Sequence, residues 1–204
     1  MGFLNIFGKK INLDTLTLIN NGDTEFGKGN YPNALNYYEK ALLEDQSNWY
    51  IYFRIGKCYQ FLNNFSKAIE IYDSGKVYDD NFDINRGLGE SYLMLSEFRQ
   101  AISYLRKALT LIQKLDKINN SNSNWDKANI FNNLAVGYYN IGDSEKAKDC
   151  CMNGIKTDKN YAGNYGILGS LCLEENLIEE AISFFRMGAH LGDQRSKDIL
   201  KDLM

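Results

Sequence analysis

The chain has 204 residues, 44% hydrophobic and 24% charged, with a formal net charge of −3. Those proportions are ordinary for a globular protein, and the acidic balance lacks the basic footprint of a DNA- or RNA-binding surface, so no nucleic-acid partner is expected. Four cysteines, Cys58, Cys150, Cys151 and Cys172, form no Cys-x-x-Cys pair and no zinc-type spacing, which implies free thiols in a reducing cytoplasm.

Residues 1–13 read as a separate N-terminal segment. Phe3, Leu4, Ile6 and Phe7 precede Lys9 and Lys10, the wrong order and too short an apolar run for a secretory signal. Ile6 stands where a myristoylation motif starting at Gly2 places Ser or Thr. The segment is expected to cover the end of the helices that follow, or to fray. No other stretch has the length of a membrane span, and a cytoplasmic location is the expectation.

From residue 14 to residue 191 one pattern recurs. Ala34, Ala68, Ala101, Ala147 and Ala181 lie 34, 33, 46 and 34 residues apart. Twelve positions before each alanine stands a small residue: Gly22, Gly56, Gly89, Ala135 and Gly169. Nine before, an aromatic residue holds the middle units (Tyr59, Tyr92, Tyr138), with Glu25 and Cys172 as exceptions. Four after come Tyr38, Tyr72, Leu105, Cys151 and Phe185, and seven after come Ala41, Gly75, Ala108, Gly154 and Gly188. Spacings of three, four and seven share one stripe of a helix, so each unit predicts two amphipathic helices. Gly27 to Asn30, Asn63-Asn64 and Gly142-Asp143 mark turns between them. The small residues allow the two helices of a unit to cross closely, and units of this length must stack to bury their apolar stripes.

The runs Ile55-Gly-Lys-Cys-Tyr59 with Ala68-Ile-Glu-Ile-Tyr72, and Leu88-Gly-Glu-Ser-Tyr92 with Ala101-Ile-Ser-Tyr-Leu105, resemble the tetratricopeptide repeat, W-x-x-L-G-x-x-Y followed by A-x-x-x-F. The resemblance implies an all-α, right-handed α-solenoid of about five helix-turn-helix units. They fall at 15–48, 49–81, 82–127, 128–161 and 162–191, followed by a C-terminal capping helix over 192–204. The family's unit-ending proline is missing. The chain's one proline, Pro32, falls in the first turn of a helix, where a missing N–H costs little. Units end instead on Asp45 to Asn48, Asp79 to Asn81 and Thr157 to Asn160, residues able to stop one helix and cap the next. The 46-residue interval predicts a lengthened second helix in the third unit, with Leu109, Ile112 and Leu115 in helical period, and then a protease-sensitive polar loop at Asn119 to Asn124.

Catalysis has little to build on. His190 is the lone histidine, so neither a nucleophile triad nor a His-rich metal site can form. No motif pairs the carboxylates, and Gly87-Leu-Gly89 falls inside a predicted helix rather than after a strand. No catalytic residue, metal or cofactor is therefore expected, and Cys58, Cys151 and Cys172 read as small buried hydrophobes. In the family resembled, the first helices of successive units line a concave groove. Carried over, that places there Ile19, Asp23 and Phe26; Tyr50, Phe53, Lys57 and Gln60; Asp83, Arg86, Glu90 and Leu93; Asn129, Asn132, Val136 and Tyr139; and Gly163, Gly166, Ser170 and Leu173. The partner-binding candidates are Tyr50, Phe53, Lys57, Gln60, Arg86, Glu90, Asn129, Asn132 and Tyr139. Aromatics would take apolar anchors, amides would bind backbone, and Arg86 would grip a carboxylate.

The expectation is a non-catalytic adaptor, monomeric or weakly homo-oligomeric, that binds a protein or peptide partner. The alternative is a structural protein that self-associates through its ends or convex face. Binding of chaperone C-terminal tails is a minor alternative, because Ile19 and Asp23, or Phe53 and Lys57 one unit along, stand where that carboxylate clamp needs basic and Asn residues.

Overall fold

A computed structural model describes residues 3–6, 9–119 and 123–203. Gly2, Phe7 and residues 120–122 of the polar loop, on which expectations above fall, lie outside them. The chain forms two compact units, Met1–Leu95 and Ser96–Met204.

The first unit opens with an antiparallel hairpin, β1 (Phe3–Ile6) and β2 (Lys9–Asn12), in which Leu4 faces Ile11 and Asn5 faces Lys10 in the register. The expectation is a segment that covers the end of the helices or frays; the strands are not foreseen, and β2 contacts α1. Both strands lie within ten residues of sequence, so closing them costs little chain entropy. Five helices follow: α1 (Leu13–Gly27), α2 (Tyr31–Glu44), α3 (Trp49–Phe61), α4 (Phe65–Lys76) and α5 (Phe82–Met94). They pack in sequence order, α1 on α2, α2 on α3, α3 on α4 and α4 on α5, with α3 also touching α5.

The second unit contains α6 (Phe98–Asn119), α7 (Asn124–Asn140), α8 (Ser144–Thr157), α9 (Gly163–Glu174), α10 (Ile178–His190) and α11 (Gln194–Leu203). Here α7 pairs with α8 and α9 with α10, α8 and α7 both meet α9, and α11 packs on α10. The 22-residue α6 is tied to the start of α7 by Asp116, which accepts from Ser123 Oγ at 2.8 Å and pairs with Lys127 Nζ at 2.7 Å.

The turn that precedes each repeat alanine uses one conformation. The residue five positions before the repeat alanine has positive φ each time: Gly29 (77°), Asn63 (57°), Ser96 (61°), Gly142 (81°) and Asn176 (59°). That left-handed residue lets the following N–H reach back to the helix just ended, as in Asn64 N to Tyr59 O (2.8 Å) and Asp143 N to Tyr138 O (2.9 Å). Glycine adopts it freely and asparagine tolerates it. The residue after the turn then caps the next helix: Asn64 accepts from Lys67 N and Asp143 from Lys146 N. Between pairs, Asn48 and Asn81 cap α3 and α5 through Tyr50 N and Ile84 N. Asn160 does not act this way; its N–H bonds Asp158 Oδ1, and α9 starts after Ala162 without a side-chain cap.

The small residues of the first helices make room for rings. A Cβ on Gly22 would come within 2.5 Å of the Tyr38 ring, one on Gly169 within 2.7 Å of Phe185, and one on Gly56 closer still to Tyr72. Tyr72 is enclosed on its other side by Gly87, where a Cβ would stand 2.5 Å from Cζ. Where the later residue is the small Cys151, the earlier one is Ala135, and both are fully buried. The gap is sized to the side chain that fills it. The second small residue also admits a side chain of a neighbouring helix. Gly75 lies closest to Tyr52 of α3, whose Cβ a Cβ there would approach to 2.6 Å, with Ile84 of α5 next at 3.3 Å, whereas Gly154 receives Asn164. Ile51, Ile84 and Ile130 hold that core position elsewhere, all fully buried. Asn164 is equally buried, yet its Oδ1 and Nδ2 have no hydrogen-bond partner among the described residues.

Gly56→Ala is expected to destabilise the chain by about 1–3 kcal/mol through overpacking. In a Tyr72→Ala background, urea denaturation should show the same change neutral or stabilising by up to ~1 kcal/mol, since helix propensity then acts alone. Asn164→Leu should raise stability by about 1–3 kcal/mol, because it removes a buried amide whose desolvation nothing offsets.

Candidate functional site

Packing uses one side of α1, α3 and α5 and leaves another to carry polar and aromatic groups. Its centre is Arg54 on α3, which sequence reasoning did not single out. Arg54 Nε lies 2.7 Å from Asp23 Oδ1 and 2.9 Å from the Tyr38 hydroxyl, and its guanidinium stands 4.3 Å from the Phe26 ring centroid. Tyr38 donates to Asp23 Oδ1 at 2.6 Å, and Tyr50 donates to Oδ2 at 3.3 Å. Burial acts to lower the Arg54 pKa, but the Tyr38 hydrogen bond and the Asp23 charge offset it and the net shift is upward. Burial, with the Asp23 hydrogen bond, pushes the Tyr38 phenol up, and burial raises that of Tyr50.

The other cations of this face are engaged as well. Lys57 Nζ lies 3.3 Å from Glu90 Oε2, and Arg86 Nη2 lies 3.1 Å from Asp83 Oδ1. Arg86, expected to grip a partner's carboxylate, already holds one from its own helix. Gln60 is a bracket for the core. It accepts from the Tyr72 hydroxyl at 3.0 Å and donates to Gly87 O at 3.0 Å and Ser91 Oγ at 2.9 Å. Ile19, placed in the groove by alignment, is instead 7% exposed and packs in the core with Tyr38, Ile51 and Ile55; one helical step separates the two faces of α1.

What remains open is aromatic. Phe53 is half-buried, its ring centroid 6.3 Å from Tyr50, 6.4 Å from Trp49 and 6.4 Å from Tyr72. Tyr31 stacks on Phe61 at 4.8 Å, with Phe26 edge-on to both. Phe61 is 50% exposed beside Lys57, 5.6 Å from its ring centroid.

In the second unit, Asn129 Nδ2 donates to the Tyr161 hydroxyl at 2.8 Å, and Tyr161 meets Trp125 edge-on. Asn132 packs against Gly163, where a Cβ would come within 2.8 Å of its Nδ2. The Tyr139 hydroxyl donates to Glu174 Oε1, and that hydrogen bond raises the Tyr139 pKa. Gly166 is buried rather than groove-lining.

Among the described residues no group of three or more metal-ligating side chains converges, and no helix is long and apolar enough to cross a membrane. The four cysteines are free; Cys58, Cys151 and Cys172 are buried and Cys150 is half-buried. Burial pushes the Cys58 thiol up to about 12 and Cys150 to about 11, so neither is an activated nucleophile at neutral pH.

The family model of the tetratricopeptide repeat matches residues 25–85. No curated protein sequence matches the chain. Among solved structures, the chain is similar to MamA at 24% identity, over 86% of this chain and 96% of that one, with a TM-score of 0.68. It is similar to PilF of Pseudomonas aeruginosa at 17% identity over 93% and 86%, with a TM-score of 0.74. It is also similar to YrrB, described as a TPR protein with an unusual peptide-binding site, at 19% identity over 92% of each chain, with a TM-score of 0.67. At such identities the likeness shows the fold: an all-α, right-handed solenoid class of about five tetratricopeptide units with a C-terminal helix. Residues 25–85 are thus the stretch in which sequence and fold both match the tetratricopeptide repeat.

The thiol environments set a pH dependence. Cys58 is raised in the folded chain from 9.0 to about 12, so the folded state keeps a proton that the unfolded state releases. This contribution is fully present below pH 9 and is lost as pH rises from about 9 towards 12. Urea denaturation of the wild type should therefore show stability falling across that window, and Cys58→Ala should show a shallower fall.

Proposed function

We propose that the chain is a non-catalytic polypeptide-binding module whose partner segment docks on the shared face of α1, α3 and α5, anchored by apolar side chains at Tyr50, Phe53 and Phe61. The supporting observation is the pairing of Arg54, Lys57 and Arg86 with Asp23, Glu90 and Asp83. A ligand held by charge would have to break one of these pairs. An apolar side chain meets half-buried rings whose surroundings are already ordered, and such preformed aromatic surfaces dominate binding energy at interfaces. Lys57, Gln60, Arg86 and Glu90 would then set the shape of the face and rim it, while Asn129, Asn132 and Tyr139 lie in the second unit. The peptide-binding site reported for YrrB supports the same class of role, on the strength of a shared fold. A cytoplasmic setting suits four unpaired thiols.

A second reading is self-association. Leu43 and Val77 are 76% and 81% exposed, and Leu42, Leu43 and Tyr52 line a shallow apolar cavity at α2 and α3. Exposed apolar patches of this kind often mark interaction sites.

Capture from lysate by the full chain, followed by affinity measurement on the recovered partner, separates the two. Phe53→Ala should weaken partner binding by about tenfold or more. Wild-type affinity should change little between low and high salt, because the face carries no unpaired cation to screen. Unaltered recovery by Phe53→Ala, or an affinity that collapses with salt, would overturn the docking site. A stable oligomer dispersed by Leu43→Lys would favour self-association.

A further inference from the structure

The first helix of the second unit is longer than its packing requires. α6 has 22 residues where α8 has 14 and α10 has 13, and its last buried residue is Ile112. The turns beyond it bury no apolar side chain. They nevertheless carry Leu115, 41% exposed, and Ile118, 69% exposed. At the start of α7, Trp125 is 58% exposed and meets Tyr161 edge-on, ring centroids 5.9 Å apart. Asp116 ties these two helix ends together through Ser123 and Lys127, and Tyr161 lies in the connection from α8 to α9. Three large apolar side chains are therefore exposed along one edge of the unit.

Cations surround them. Lys114 and Lys117 flank the exposed residues of α6, and Lys156 and Lys159 precede Tyr161. All four are exposed, and none forms an ion pair among the described residues. Of the carboxylates at this edge, Asp116 pairs with Lys127 at 2.7 Å, Asp158 accepts from Asn160 N at 2.9 Å, and Asp126 is engaged as well. The face of the first unit is the reverse case, since Arg54, Lys57 and Arg86 are each paired there.

We propose that this edge docks on an anionic lipid surface, with Leu115, Ile118 and Trp125 entering the headgroup region and Lys114, Lys117, Lys156 and Lys159 against the phosphates. Tryptophan and aliphatic side chains set among lysines suit the boundary between bilayer and water. Unpaired lysines add attraction to anionic headgroups. An acidic protein segment would satisfy the lysines, but it gives no reason for apolar side chains on turns that the core does not use. Leu115 and Ile118 come with the insertion that breaks the repeat spacing, so the edge is additional to the repeat. The proposal is independent of the polypeptide-binding face and of the Phe53 test.

The test is flotation of the full chain with vesicles of phosphatidylcholine containing roughly one third phosphatidylserine, against vesicles of phosphatidylcholine alone. The chain should float with the anionic vesicles at low salt, bind neutral ones about tenfold more weakly, and be released by high salt. Ile118→Asp, and separately Lys114→Glu with Lys117→Glu, should each lower vesicle affinity about tenfold or more. These positions are exposed, and unchanged circular dichroism spectra would confirm that the variants fold. In a Trp49→Phe chain Trp125 is the sole tryptophan, and its emission should shift to the blue with anionic vesicles and be quenched by brominated lipid. No flotation with anionic vesicles, equal flotation with neutral ones, or binding unaltered by Ile118→Asp would overturn the proposal. A Trp125 emission that vesicles leave unmoved would overturn it too, and a shift with polyglutamate instead would mark the edge as a site for an acidic polypeptide.

Discussion

Tyr72 lies between two glycines, Gly56 on the helix before it and Gly87 on the helix after, each so close that a single added carbon would collide with the ring. This interlock recurs with Gly22 and Tyr38 and with Gly169 and Phe185. It brings helices into contact at positions where neither could otherwise approach, and it buries a whole aromatic side chain, worth roughly 1.5–3 kcal/mol each time. Repetition of that contact is what makes a short helix pair, unable to bury its apolar stripe alone, part of a stable core. It also fixes which side of each first helix is consumed by packing, and therefore which side is left to meet a partner.

The side left over is organised by electrostatics rather than by packing. On α1, α3 and α5 each cation has its own carboxylate, and the Tyr38 hydroxyl, the polar tip of a core ring, is drawn into the same network through Asp23 and Arg54. Core and surface are thus coupled through one buried phenol. Removing Arg54 would leave Asp23, whose side chain is 35% exposed, with the Tyr38 and Tyr50 hydroxyls as its donors. A face neutralised from within favours apolar recognition and resists binding by charge alone.

Much of this was legible in the sequence because the repeat encodes it twice, once as small residues and once as the side chains that fill them. The substitution of Ala135 for glycine opposite Cys151 shows the same size rule within one chain. The turn position was legible in Gly29, Asn63 and Gly142, while Ser96 hides it behind an ordinary side chain. The hairpin at residues 3–12 was not legible, because a run of large apolar residues before two lysines carries no helix or strand period to read. Arg54 was missed for a different reason. Alignment by repeat position selected Asp23, Lys57 and Glu90, whose alternating signs at one repeat position do signal pairing between neighbours, but Asp23 takes Arg54 one turn away from that row. Asn164 stands where three other units place isoleucine, a mismatch visible in the alignment whose consequence, an orphaned amide, only packing reveals.

The central claim, that a polypeptide is recognised on the aromatic face of the first helices, can be tested without knowing the partner. A photo-crosslinking phenylalanine analogue placed at position 53, and separately at position 43, would report what lies against each surface of the full chain in native lysate. The account predicts heterologous adducts from position 53 and none from position 43. Adducts from position 43 alone, or a dimer of the chain as the sole product at both, would contradict it.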